Sequence, residues 1–338
     1  MTNIRGLVPL FSMKEESIER LNSLGSAQTP LVFLLDFALE NSFVWTLPEA
    51  QAAGLHFALG EVPRVGLAPS DWITSVKLVD ETRYRQAFDY VHQHLAKGDS
   101  FLVNLTASHE ITLGGTLQDI YQAAAAKCKV WWENKWVCFT PEPFVHIDST
   151  GVMSSFPMKG TAEWFSEADE VRLRQNQKEL YEHTTIVDLI RNDLSRVAHR
   201  VWVERFRYIE KIPTADGRVI MQLSSCIQGA LPSDWRSRLG HILAELLPAG
   251  SISGAPKPKT LDIIHEAERL LHPAGERGYY TGIFGYFDGQ TLQTFVLIRF
   301  IEQTPSGFVF KSGGGITYLS DPTAEYHELA AKVYVPVL

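Results

Sequence analysis

The chain has 338 residues, 45% of them hydrophobic, and a formal net charge of −8. That length and apolar content can bury a substantial core in one large domain or two intimate subdomains, and no block of biased composition divides the sequence. The acidic balance, with no Lys/Arg-rich run interleaved with aromatics, excludes a broad nucleic-acid footprint, so an anionic ligand would need local positive charge. The opening residues lack a secretory apolar core, and the most apolar stretch, 30–39, is short and holds Asp36. A soluble, cytoplasmic protein with no membrane span is the expectation. Cys128, Cys138 and Cys226 are odd in number and follow no Cys-x-x-Cys spacing, which predicts reduced structural thiols and no zinc site.

In residues 1–75 only two strand-like segments are legible, 31–37 and 43–47. From Asp80 the apolar spacing predicts a helix through Leu95, then a strand over 100–105, a helix over 117–128, and strands over 137–140 and 152–156. Ser166, with Asp169 three residues on, has the form of an N-cap opening a long helical stretch, along which Ile186, Val187, Ile190 and Leu194 recur at helical spacing. Residues 279–316 alternate apolar with small or polar residues, and Asp288-Gly289 and Ser306-Gly307 stand where hairpins should turn. Asp321-Pro322 supplies an N-cap and a first-position proline for a terminal helix. Hairpin-linked strands separated by moderate helices favour an α+β architecture over a doubly wound sheet.

Two acidic pairs stand out against this frame, Glu179-Leu-Tyr-Glu182 and Glu325-Tyr-His-Glu328. A spacing of three places both carboxylates of a pair on one helix face, and two such helices meeting could present four carboxylates to one hard cation such as Mg²⁺. Taken alone, each pair reads first as ordinary solvated helix surface. Gly250-Ser-Ile-Ser-Gly254-Ala-Pro-Lys257 has the flavour of an anion-binding loop opening a helix, although three residues between the glycines and Ala-Pro before the lysine rule out a nucleotide-binding P-loop. Ser312-Gly-Gly-Gly315 permits close backbone approach to a ligand, or is a hairpin or bulge. Lys159 reads as a turn lysine, and Arg299, inside the apolar run 295–301, must reach solvent or pair with an anion.

Around these pairs stand Phe156-Pro-Met-Lys159-Gly-Thr161, the Gly250–Lys257 loop, Arg277-Gly-Tyr-Tyr-Thr-Gly-Ile-Phe-Gly-Tyr286 and Ser312-Gly-Gly-Gly-Ile316. In order and content the ensemble, running from about Gly98 to Lys332, resembles the chorismate-utilising enzymes. The Pro157-Met-Lys159-Gly-Thr161 form is similar to the branch of aminodeoxychorismate synthase component I, since anthranilate synthases carry a small residue where Lys159 stands. The resemblance implies antiparallel sheets packed together and flanked by helices, with 1–75 a shortened N-terminal subdomain region and 76–338 the chorismate-binding catalytic domain. It implies Mg²⁺ held by Glu182 and Glu328 with Glu179 and Glu325 nearby. The other carboxylate of chorismate would meet Arg299, Tyr280 and the backbone at Gly313 and Gly315, with Ser251, Ser253, Gly254, Gly160, Thr161 and Lys332 completing the pocket.

The implied reaction replaces the 4-hydroxyl of chorismate by an amino group, Lys159 attacking C2 as the hydroxyl leaves and ammonia then attacking C4. Glu142, in Phe139-Thr-Pro-Glu-Pro-Phe144, is the candidate general acid. Leu102 departs from the Gln or Lys of relatives and disfavours hydration to isochorismate, and Gln222 departs from a frequent His and disfavours the elimination that yields anthranilate. No cysteine nucleophile with a later His and Glu is found, so a separate glutamine amidotransferase subunit would supply ammonia. Anthranilate synthase component I and a non-catalytic chorismate-binding subunit remain the alternatives.

Overall fold

Five consecutive apolar residues form the strand Leu31–Leu35, and every one of them is fully buried. Because side chains alternate across a strand, Leu31, Phe33 and Leu35 enter one core cluster with the helices, while Val32 and Leu34 enter a second one. Each buried side chain of this size contributes about 1.5–3 kcal/mol of transfer free energy, so this strand anchors the fold from both faces. The structure, a computed structural model, describes residues 11–60, 72–213, 219–272 and 276–337, apart from the side chains of Lys159, Thr161, Lys178, Ile212 and Pro213.

Two antiparallel sheets make up the frame. The first, of nine strands, runs Met158–Glu163, Val219–Ala230, Val152–Ser155, Pro143–Ile147, Leu292–Val296, Ile283–Phe287, Leu31–Leu35 and Ser42–Thr46, with Arg200–Pro213 pairing outside Val219–Ala230. The second, of eight, runs Gly254–Ala255, Leu102–Leu113, Gly307–Ile316, Phe300–Thr304, Trp136–Thr140, Cys128–Trp132 and Leu55–Leu59, with Ile73–Lys77 pairing Leu102–Leu113. Val32, Leu34, Phe284 and Phe295 of the first sheet share one apolar cluster with Val130, Trp136 and Phe300 of the second, so the sheets pack face to face. Helices Glu81–Ala96, Leu239–Leu246 and Lys257–Glu268 cover the larger cluster. The α+β architecture is as expected.

The caps and turns form where the residues predict them. Asp80 caps Glu81–Ala96 by accepting from Arg83 N, Ser166 and Asp169 form a capping box, and Asp321 accepts from Thr323 N and Ala324 N. The hairpins turn at Asp288–Thr291 and between Thr304 and Gly307. The three cysteines are buried and free.

Three boundaries depart from expectation. The helix over 117–128 is confined to Leu117–Ala123, and Cys128–Trp132 is a strand, because pairing to Leu55–Leu59 and Trp136–Thr140 overrides the helix propensity of the alanines between. The long stretch after Ser166 is two helices, Glu167–Gln175 and Gln177–Ser195, broken at Asn176, whose Oδ1 accepts from Glu179 N at 3.2 Å. The run 295–301 is likewise two strands, parted at Arg299, which takes a left-handed φ of 57°.

Residues 1–75 also held more than the sequence suggested. A helix Glu15–Ser26 packs on Leu239–Leu246, and Leu55–Leu59 and Ile73–Lys77 join the second sheet while Leu31–Leu35 and Ser42–Thr46 join the first. The N-terminal part is thus woven into both sheets. Residues 1–10 and 61–71 lie outside the described residues.

Candidate active site

The helix Gln177–Ser195 restarts at Asn176 just before the first acidic pair, so Glu179 falls in its first turn, where the free amides and dipole favour a carboxylate. Glu179, Glu182, Ile186, Ile190 and Asp193 then repeat every three or four residues and present one face to a cavity of about 590 Å³. Glu325, Glu328 and Lys332, on or just after the terminal helix Pro322–Ala331, line the same cavity. Both acidic pairs therefore meet at one space. Ser320 Oγ donates to Glu325 Oε1 at 2.8 Å, and Lys332 Nζ bridges Glu328 Oε1 at 2.9 Å and Gly313 O at 2.8 Å.

The strand Gly307–Ile316 carries the three glycines through its interior, so the hairpin reading of Ser312-Gly-Gly-Gly315 does not hold. Gly313, Gly314 and Gly315 pair with Thr106, Leu105 and Asn104 and expose bare backbone to the cavity. Glu142, which borders the same cavity, is half-buried, its N donating to Thr140 Oγ1 at 3.1 Å and its O accepting from Val296 N at 3.0 Å. Ser251 Oγ donates to Glu142 Oε1 at 3.1 Å. Arg299 faces the cavity with its guanidinium 5.3 Å from the centre of the Tyr334 ring, and Tyr280, buried beside it, has its phenol pushed up by desolvation.

Twelve of the residues singled out from the sequence thus border one cavity: Glu142, Gly160, Glu179, Glu182, Ser251, Tyr280, Arg299, Gly313, Gly315, Glu325, Glu328 and Lys332. Lys159 lies in the strand Met158–Glu163 between Met158 and Gly160, which both border it, but the Lys159 and Thr161 side chains lie outside the described residues. Gly160 takes φ +92°, and a Cβ there would stand 3.0 Å from Glu179 Oε2, so only glycine lets this strand approach the acidic helix so closely.

Ser253 and Gly254 are not among the residues that border the cavity. Ser253 is fully buried and its Oγ donates to Ala249 O at 2.8 Å. Gly254, at φ +140°, pairs with Val103, and a Cβ would fall 1.8 Å from Leu102 O, so the approach of these two strands requires glycine here. The loop does not open the helix directly either: Gly250–Ile252 is a single 3₁₀ turn, Gly254–Ala255 a short strand, and the helix Lys257–Glu268 starts after Pro256.

Sequence reasoning missed the groups behind the cavity wall. Lys257 Nζ lies 3.1 Å from Asp193 Oδ1 and donates to Leu246 O at 2.9 Å; burial pushes the Asp193 carboxyl up and the Lys257 ammonium down. Deeper, Arg277 is 2% exposed and donates from Nε to Glu268 Oε2 at 2.8 Å and from Nη2 to Glu268 Oε1 at 2.7 Å. It also donates to Ile252 O at 2.8 Å, Thr281 Oγ1 at 3.2 Å and Asn104 O at 2.7 Å. Ile252, Thr281 and Asn104 all border the cavity, so one guanidinium ties three wall segments together. The spacing of Arg277 and Glu268 in the chain carried no signal of this.

Among the described lining residues six carboxylates face two cations, Arg299 and Lys332. That surplus of anionic oxygen, without thiolate or imidazole, is the donor chemistry a hard divalent cation takes. No group of three or more His, Cys, Asp or Glu side chains among the described residues is drawn together as a preformed cage. Mg²⁺ does not require one, since it commonly takes one or two carboxylates, waters and oxygens of the substrate. No helix among the described residues is long and apolar enough to cross a membrane.

Comparison with known proteins supplies the family. The chain is 45% identical over 329 residues to an uncharacterised PabA-like protein of Pasteurella multocida, covering 95% of this chain and 98% of that one. It is 29% identical to aminodeoxychorismate synthase component 1 of Bacillus subtilis, covering 93% of this chain and 72% of the relative. Its fold matches that of the menaquinone-specific isochorismate synthase MenF of Escherichia coli at a TM-score of 0.61 and 16% identity, over 92% of this chain and 89% of that one. A family model described as chorismate binding enzyme matches residues 68–337, and the chain belongs to that family of chorismate-utilising enzymes.

Proposed function

We propose that the protein aminates chorismate at C4 with ammonia, giving 4-amino-4-deoxychorismate and water, the precursor of p-aminobenzoate in folate biosynthesis. The observation that carries this reading is the meeting of both acidic pairs, Glu142 and the Lys159-bearing strand at one cavity. Arg299 and the bare backbone of Gly313 and Gly315 would receive one carboxylate of the dianion, and Glu142 borders the same cavity. Mg²⁺ would be held by Glu182 and Glu328, with Glu179 and Glu325 beside them, neutralising charge and orienting the ring carboxylate.

The residues then divide the work. Lys159 Nζ attacks C2, both conjugated ring double bonds shift, and the C4–oxygen bond breaks as Glu142 delivers the proton that lets the hydroxyl leave as water. Ammonia forms the new bond at C4, both double bonds shift back, the C2–nitrogen bond breaks with its electrons returning to Lys159, and the proton shed by the new C4 ammonium restores Glu142. Ser251, donating to Glu142, holds the acid in place between these steps. A separate glutamine amidotransferase subunit would deliver the ammonia.

Anthranilate formation is the second reading, and Gln222 disfavours it. This side chain lines the cavity where relatives often place an imidazole, and a neutral amide cannot take the proton that elimination of the enolpyruvyl group releases. Incubation with chorismate, Mg²⁺ and ammonium, with products separated and weighed by mass spectrometry, tests the assignment. Aminodeoxychorismate from the wild type, reduced at least about 10³-fold by Lys159→Ala, is expected. Anthranilate as product, or full activity in the variant, would overturn it.

A further inference from the structure

Lys257 is the first residue of the helix Lys257–Glu268, the end at which a helix dipole disfavours a cation, so its place is explained by what its side chain reaches and not by its own helix. Its Nζ donates at 2.9 Å to the carbonyl of Leu246, the last residue of the helix Leu239–Leu246, and lies 3.1 Å from Asp193 Oδ1 and 3.2 Å from Asp193 Oδ2. One ammonium thus joins the two ends of the connection 247–256 and ties it to the helix Gln177–Ser195, which carries Asp193. The Lys257 and Asp193 side chains are 14% and 11% exposed. Sealing such a pair from water gains little over apolar residues of similar volume, so stability alone does not account for it.

What this clamp fixes is the turn Gly250–Ile252. A Cβ on Gly250 would stand 3.1 Å from Asp193 Oδ2 and 2.8 Å from Leu189 Cδ2, so the backbone of the turn rests directly on the carboxylate, with no side chain between them to absorb a shift. From another direction Arg277 Nη1 donates to Ile252 O at 2.8 Å. Ser251 is carried between these two contacts, and its Oγ donates to Glu142 Oε1 at 3.1 Å. We propose that Asp193 and Lys257 are positioning residues for proton delivery: the pair holds the turn where Ser251 reaches Glu142, and so aims the carboxyl that protonates the leaving hydroxyl. The inference rests on the reading of Glu142 as the general acid. The effect of the pair passes through Ser251, and a misplacement of about 1 Å at a catalytic group is enough to cost on the order of a hundredfold in rate.

The test is steady-state amination of chorismate at saturating ammonium and Mg²⁺ by the wild type, the paired variant Lys257→Met/Asp193→Leu, Ser251→Ala, and the three changes together. The paired variant removes both charges and strands neither, so it should fold with an unfolding midpoint close to that of the wild type. Its kcat should fall about ten- to a hundredfold while its KM for chorismate stays within about threefold, and Ser251→Ala should lower kcat by a similar factor. The three changes together should cost no more than about twofold beyond either, because both remove the same contact. Wild-type kcat in the paired variant or in Ser251→Ala, losses that multiply when combined, a loss confined to KM, or a paired variant that unfolds would each overturn the role of the pair and leave the amination reading standing. A wild type that yields no aminodeoxychorismate would overturn that reading and this inference with it.

Discussion

Two charged regions lie within a few side chains of each other and differ in kind. Behind the wall, Arg277 and Glu268 are 2% and 7% exposed and exhaust their hydrogen-bonding capacity on each other, on Thr106 and on backbone carbonyls. At the wall, Glu179, Glu182, Glu325 and Glu328 outnumber the cations they face, and the Glu328 side chain is 59% exposed. Burial, not residue type, separates the two tasks. A charge sealed from water must be matched within the fold, whereas a charge at an open cavity can be matched by what enters.

The largest test of this contrast is Glu268→Ala, which strands Arg277 in the core and should cost about 3–5 kcal/mol of stability, read from denaturant unfolding. Glu182→Gln should do the reverse. Stability should hold within about 1 kcal/mol while amination falls by about 10²–10³-fold, since the carboxylate acts on ligand charge and not on packing. A large loss of stability in Glu182→Gln would break the distinction.

A smaller effect comes from acid. His272, between Thr106 Oγ1 and Ser108 Oγ, and His109, which accepts from Val79 N and faces Ser312 Oγ, are both pushed down to about 4 by burial. An unfolded histidine titrates near 6.5, so between about 6.5 and about 4 the unfolded chain binds more protons than the folded one. Stability should therefore be full above that window and decline as pH falls through it, by on the order of 1 kcal/mol per pH unit for each histidine. His272→Gln and His109→Gln each flatten that slope if the assignment is right, and unfolding midpoints across the window measure it.

The acidic pairs and the helix caps were legible because their spacing has a local physical meaning, three residues apart on a helix or a cap before a run, whereas Lys159 read as a turn lysine and the three glycines as a hairpin or bulge although both lie in strands. What the spacing could not convey is partnership across long separations. Asn176 splits a helix that periodicity alone extends, and Cys128 begins a strand because Leu55–Leu59 and Trp136–Thr140 flank it, not because of its neighbours in the chain. Ser253 and Gly254, which the resemblance implies as ligand contacts, are held by Ala249 and crowded by Leu102, and a glycine demanded by a crossing strand reads the same in the sequence as one demanded by a ligand.

The strand Leu31–Leu35 sits between Ser42–Thr46, its near neighbour, and Ile283–Phe287, about 250 residues further along. At a synthesis rate of about 5–20 residues per second, the near hairpin emerges on the order of ten to fifty seconds before its other partner exists. During that interval one edge of a fully apolar strand is open on the nascent chain. Closure of the first sheet is consequently a late event in synthesis, and the time spent waiting for it is when this protein is most exposed to chaperones, proteases and misassembly.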